Sequence, residues 1–403
     1  MTESHLPEAA TPVDRFRAIV TGDPDLQLRL SAFHDPEAFA GDAIVLAAER
    51  GIALTRDDLL GALRHDPLGL RRFSGAPCTG AAVPVGDWLP TAVVPSGAEL
   101  AVDWVHFGGG PLAEPFFEDS MRMARARPLN RLVQHRTPLA TIVASLDDDS
   151  PVPDGFVFHL SRCGSTLVAQ MFAADPRNIV VSEAPPIDSV VQLATARIDV
   201  PIEERIRLLR AVVGALGRRR IDAAGAYVVK LDSWHTFALP LFRLAFPDTP
   251  WIFLYREPVE ILVSHVRMAG MQTVPGAMGF DPYGIERGDE LPHGDYAACA
   301  LGRTAEAVVE HFGLGGGLLV NYAELPGAME ARILPHFGIR PDAAGRAAMA
   351  DASRRDAKAP TESFTRDTEE KQRAADDRVR AQAATYMDDS FRKLEGLRLA
   401  GET

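Results

Sequence analysis

Beyond residue 150 the apolar positions gather into short runs, FVFHL (156–160), NIVVS (178–182), AYVVKL (226–231), WIFLY (251–255) and GLLVNY (317–322). Each run has strand length and is rich in β-branched or aromatic residues. Between them lie VAQMF, the stretch 189–219, TFALPLFRLAF and VEILVSHVRMA, whose apolar residues recur at helical spacing. Strands alternating with helices predict an α/β domain, a parallel sheet flanked by helices on both faces. Loops at the carboxyl ends of such strands make the functional site.

Ahead of that domain the pattern changes twice. From about Val13 to Arg64, FRAIV, LQLRLSAF, AFAGDAIVLAAERG and TRDDLLGALR space apolar residues three or four apart, with Asp23, Asp35 and Thr55 as helix starts. A small all-helical N-terminal domain over 1–66 is expected. From 67 to 150 Pro, Gly and Val dominate, and AVVP, LAVDWVHF and TIVASL predict short strands, with a helix around Glu118 to Gln134. Trp104, Phe107, Phe116 and Phe117 in this connecting region are expected in a core, with an acceptor-side cleft as the alternative. A polar linker, DDDSPVPDG, leads into the α/β domain, expected over 151–403.

The strand FVFHL runs straight into SRCGSTL and a helix. A buried strand turning through a Gly/Ser/Thr-rich loop into a helix aims backbone N–H groups and the positive helix end at one point, where phosphate or sulfate fits. The loop is not the ATP/GTP form, GxxxxGK followed by Ser or Thr. Gly164 is followed directly by Ser165 and Thr166, and His159 stands five positions before it. What is present is a cation, Arg162, then Cys163, Gly164 and two hydroxyls. Cys163 is expected to be a small filler, since no His is paired with it by motif.

That order resembles the 5′-phosphosulfate loop of sulfotransferases, a P-loop-type fold. WIFLYREPVEILVSH strengthens the likeness: Arg256, an acidic residue (Glu257 where Asp is usual), Pro258 and then Ser264 follow a strand as in that family. The resemblance covers about 156–371. It implies 3′-phosphoadenosine 5′-phosphosulfate as co-substrate, with Arg162, Cys163, Gly164, Ser165 and Thr166 at the 5′-phosphosulfate and Arg256 with Ser264 at the 3′-phosphate. Tyr322, in VNYAELP, would border the adenine or 3′-phosphate. Glu183, after the NIVVS strand, corresponds to the general base of tyrosylprotein sulfotransferases and related Golgi enzymes, and Lys230 to a lysine acting on the transferring group. The cytosolic enzymes have a catalytic His two residues after that lysine, and this chain has Asp232. Glu183 is therefore the first choice of base, Asp232 the second and His235 a distant third. The stretch DAKAPTESFTRDTEEKQR lies where the family has a late nucleotide-covering loop, so Lys358 and Arg366 are 3′-phosphate candidates, and 368–380 is expected to be a solvated helical face. The long Gly/Pro/Met-rich stretch from Gly270 to Tyr296 is a candidate acceptor-side gate.

The helical pattern DPDLQLRL, HDPEAF and AIVLAAERGIALTRDDL resembles the Nif11-like domain. It implies protein or peptide contact and transfers no catalytic residue.

A formal net charge of −13 argues against nucleic acid and anionic membranes as partners, so an anion site must be local. No apolar run reaches the roughly 18 residues of a membrane span, and the N-terminal segment lacks a signal-peptide core. The three cysteines are too dispersed for a disulfide framework or a CxxC metal site, which fits a reducing cytoplasm. The scheme requires no metal. Its acceptor is any hydroxyl-bearing small molecule or peptide, with the helical domain tilting the choice toward peptide. Two readings compete with it: an ATP-dependent small-molecule kinase with a degenerate P-loop, and a non-catalytic peptide-binding module on a sulfotransferase-like scaffold.

Overall fold

The computed structural model describes residues 10–64, 80, 82–218, 225–355 and 367–401. Cys78, Lys358 and Arg366 lie outside them. The chain divides into two compact units, one formed by 1–110, 118–150 and 214–222, the other by 111–117, 151–213 and 223–403.

The first unit begins with four helices, Pro12–Gly22, Pro24–Ser31, Pro36–Ala48 and Arg56–Ala62. Thr11, Asp23, Asp35 and Thr55 each accept a first-turn N–H with the side chain, and Pro opens three of the four helices. These caps satisfy donors that a helix start leaves unpaired. Phe16, Val20, Leu30, Phe39 and Leu59 are fully buried between the helices. Strands β1 (Trp88–Ser96), β2 (Glu99–His106) and β3 (His135–Pro138) form an antiparallel sheet in that order. Gln27 ties helices to sheet by accepting from Trp88 Nε1 at 2.9 Å. The expected helix near Glu118 is present as Phe117–Ala126, followed by Pro128–Leu132. TIVASL is a departure. Its β-branched residues suggest a strand, yet Leu139–Ala144 is a helix that buries Leu139 and Ile142. Packing of those two side chains overrides a weak local preference.

The second unit contains β4 (Gly155–His159), β5 (Ile179–Ser182), β6 (Tyr227–Lys230), β7 (Trp251–Tyr255) and β8 (Gly317–Asn321), all parallel in the order β5–β6–β4–β7–β8. This is the expected α/β sheet. Alternation along the strands sorts side chains to two faces. Val157, Val228, Ile252, Leu254 and Val320 pack with Leu167, Val168 and Phe172 of the helix Ser165–Ala173 and with Ile333, Leu334 and Phe337. On the other face Phe156 and Phe158 meet Phe242 of the helix Leu239–Ala245 at ring separations of 5.2 and 5.5 Å. Burying each such side chain contributes about 1.5–3 kcal/mol. From β4 the chain crosses to β5 and β6 on one side, and from β6 it crosses back past β4 to β7 and β8 on the other. That switch point opens a crevice at the carboxyl edge of the sheet.

Candidate functional site

At that edge lies a cleft of about 530 Å³, lined by the loop Ser161–Thr166 and by residues at or just beyond the carboxyl ends of all five strands. The loop leaves β4 at His159 and turns on two residues with positive φ, Arg162 at 60° and Gly164 at 87°. Gly164 is the N-cap of the helix Ser165–Ala173. A Cβ on it would lie 2.8 Å from Leu325 Cδ1 and 2.9 Å from Tyr322 Cδ2, so both conformation and space require glycine. The hydroxyls of Ser165 and Thr166, both more than nine-tenths buried, have no protein hydrogen-bond partner among the described residues. A phosphate or sulfate oxygen would supply one. Arg162 reaches the Met268 carbonyl with one guanidinium nitrogen at 2.9 Å, and burial lowers its pKa. Cys163 turns away into the core: its thiol donates to the Leu254 carbonyl at 3.1 Å, and burial pushes its pKa up to about 12. Only its main chain faces the loop, as expected of a filler.

Parallel pairing builds the next group. Ser182 of β5 registers with Lys230 of β6, and the Glu183 N–H donates to the Lys230 carbonyl at 2.8 Å. Glu183 takes positive φ (54°), and its carboxylate forms an ion pair with the Lys230 ammonium, which is 1% exposed. His159 sits 3.4 Å from the same oxygen. Burial alone would raise the Glu183 pKa; Lys230 and His159 outweigh it and hold the carboxyl well below the usual range. Asp232 is the opposite case. Buried at the cleft wall, with Glu183 and Asp188 nearby and no side-chain hydrogen bond among the described residues, its carboxyl has a pKa raised well above the usual range, first by burial and then by those two acids. The surroundings thus favour the protonated form of Asp232 and the ionised, proton-accepting form of Glu183. His235 is 1% exposed in a 3-10 turn, 3.0 Å from Asp188, as a packing residue would be. Asp188, Asp232 and His235 offer ligand atoms within 4.8 Å of one another. Asp188 already accepts from Trp234 and Gln192 and lies 3.0 Å from His235 Nε2, so its oxygens are engaged within the protein.

Across the cleft, Pro258 opens the helix Pro258–Arg267 after β7, as the sequence predicts. Arg256 is 3% exposed, stacks 3.9 Å over the Tyr322 ring, and donates to Glu260 Oε2 and Asp367 Oδ1, each at 2.6 Å. Ser264 borders the cleft, but its hydroxyl donates to the Glu260 carbonyl one turn back at 2.8 Å. Lys371 Nζ lies 2.7 Å from Asp367 Oδ2. The segment expected to be a solvated face does hold helices, Thr368–Ala374 and Asp377–Tyr386, but Lys371 is 6% exposed and lines the cleft. Its partner Asp367, one turn back, is itself held by Arg256 from the far strand end. Lys358 lies outside the described residues.

Sequence reasoning did not assign His159, Trp234, Gln272, Asp367 or Lys371 to the cleft, and it favoured a core position for Phe116. Trp104, Phe107 and Phe117 are buried as expected, whereas Phe116 is half-buried and faces Lys230, its ring centroid 5.2 Å from the ammonium. From the Gly270–Tyr296 stretch, Gly270, Met271 and Gln272 line the cleft, and Gln272 donates to Ser161 Oγ at 2.8 Å. A lysine alternating with acids, as Lys371 does, looks like any surface helix. His159 was legible only as the strand residue nearest the loop.

No family model and no curated protein matches the chain. Among solved structures it is similar to the sulfotransferase domain from the curacin biosynthetic pathway, at 14% identity over 62% of this chain and 98% of that one, with a TM-score of 0.38. It is similar also to the sulfotransferase domain of the Synechococcus PCC 7002 olefin synthase, at 15% identity over 62% and 96%, TM-score 0.37. Sulfotransferase STF9 from Mycobacterium avium matches at 12% identity over 52% and 69%, TM-score 0.35. Likenesses of this size carry no argument about activity, which rests on the groups in the cleft.

Proposed function

We propose that the second unit transfers a sulfuryl group from 3′-phosphoadenosine 5′-phosphosulfate to an acceptor hydroxyl. One observation carries the reading: a single cleft gathers a glycine loop that lacks the Walker lysine, an ionised Glu183 paired with buried Lys230, and a second buried cation pair across from them. Two separated cationic positions suit a nucleotide with charge at both ends. Arg162, Gly164, Ser165 and Thr166 would hold the 5′-phosphosulfate. Arg256 would hold the 3′-phosphate, with Ser264 rotating its hydroxyl from the Glu260 carbonyl toward it and Tyr322 beside it.

Glu183 would take the acceptor proton as the hydroxyl oxygen attacks sulfur in line. Its pairing with Lys230 makes it a weak base at rest. As charge develops on the leaving oxygen Lys230 would turn toward it, and Glu183 would regain basicity when a proton must be taken. His159, held neutral by burial, would keep the carboxylate oriented.

The acceptor is a hydroxyl-bearing small molecule or peptide. The N-terminal helices, through their Nif11-like pattern, would contact a peptide. Among the described residues no helix is long and apolar enough to cross a membrane, and Cys163 and Cys299 are free thiols. A reducing cytoplasm is the proposed location.

Calorimetric titration tests the reading: adenosine 3′,5′-bisphosphate should bind without magnesium, and more tightly than ATP with magnesium. Tight binding of ATP alone would favour the kinase reading and overturn this one.

A further inference from the structure

We infer that Asp367 is a resident anion of the second cation pair, and that the second phosphate of a nucleotide binds by replacing its carboxylate between Arg256 and Lys371. The inference rests on the nucleotide reading of the cleft and adds to it an exchange step and a further phosphate ligand, Lys371. The Asp367 carboxylate spans the pair, Oδ1 at 2.6 Å from Arg256 and Oδ2 at 2.7 Å from Lys371, as two oxygens of a phosphate would. All three residues line the cleft.

Charge balance favours exchange over addition. Two buried cations, Arg256 and Lys371, face two carboxylates, Glu260 and Asp367. A phosphate dianion added to this set would place three anionic groups on two desolvated cations. One carboxylate must leave, and the two differ in how firmly they are held. Glu260 has a 6% exposed side chain, sits one helical turn from Arg256, and accepts from Thr368 Oγ1 at 3.2 Å as well. The Asp367 side chain is 34% exposed on the cleft side and its only described side-chain partners are the two cations. Its main-chain carbonyl accepts from the Lys371 N–H, so the carboxylate can swing into water without unwinding the helix. Arg256 would stay in place through Glu260 and its stacking on Tyr322.

The test titrates wild type, Asp367→Asn and Lys371→Met with adenosine 3′,5′-bisphosphate and with adenosine 5′-monophosphate, which lacks the second phosphate. Removing the competing charge-assisted bonds should tighten bisphosphate binding to Asp367→Asn about tenfold, leaving the monophosphate within about twofold. Lys371→Met should weaken the bisphosphate about tenfold and spare the monophosphate. Unchanged or weaker bisphosphate binding in a folded Asp367→Asn, judged by thermal unfolding, would make Asp367 a fixed scaffold and overturn the exchange. Should that variant not fold, Lys371→Met decides, and equal loss of both ligands or of neither overturns the inference. Failure of wild type to bind either ligand is a different outcome. It removes the nucleotide reading itself, and this inference with it.

Discussion

At one end of the cleft buried Lys230 is matched by Glu183 while Asp232 has no cation to itself; at the other, Arg256 and Lys371 are matched by Glu260 and Asp367. The residue types are the same and the outcome is opposite. Burial and two neighbouring carboxylates drive the Asp232 pKa up, whereas Lys371 and Arg256 overcome burial and draw that of Asp367 down. Where cations face a carboxyl they can outweigh burial, and where none is its own, burial and neighbouring acids set the direction. At the first end the surroundings push two neighbouring carboxyls in opposite directions, Glu183 toward the ionised form and Asp232 toward the protonated one. The second holds balanced charge, suited to anion exchange.

The contrast can be broken most severely at Glu183. Glu183→Gln should lower sulfuryl transfer by about 10²–10⁴ while bisphosphate binding persists in calorimetry. Retained turnover would move the proton transfer elsewhere. At the balanced end Arg256→Ala leaves Glu260 and Asp367 without their shared cation, and chemical denaturation should show a loss of about 3–5 kcal/mol. Asp232→Asn tests the unbalanced end with the other sign. The folded pKa of Asp232 is raised above the ordinary 3.8, so wild type loses stability as pH rises from that value through the folded one. The Asn variant escapes this, and should be the more stable of the two at pH 7 in chemical denaturation, with the gap closing below about pH 4. An equal gap at every pH would mean that Asp232 does not titrate with folding. The smallest effect is expected where solvent screens the pair: Arg29→Ala, breaking the surface bond to Asp42, should leave the thermal unfolding midpoint essentially unchanged.

The glycine-loop side of the cleft was legible in the sequence because main chain builds it. SRCGSTL between strand and helix implies the turn and a small Cys163 filling tight packing, which the thiol's bond to the Leu254 carbonyl matches. Glu183, Lys230 and Arg256 were legible for a related reason, since each ends or follows an apolar run that can only be a buried strand. Phe116, Asp367 and Lys371 were not. They come from segments with no strand to anchor them, and their burial depends on partners far off in sequence: Lys230 for Phe116, Arg256 for Asp367.

By itself, then, the sequence determined the alternation of strands and helices, the helix caps at Asp23, Asp35 and Thr55, and a loop shaped for an anion, because these depend on residues within a few positions of one another. Only the tertiary structure decided strand order, and with it that β5 and β6 lie side by side so that Glu183 meets Lys230. It also decided the charge states of the acids. A carboxyl group carries no sign of its environment in its own residue type; which buried cations surround it, and how many acids share them, is settled when distant segments pack.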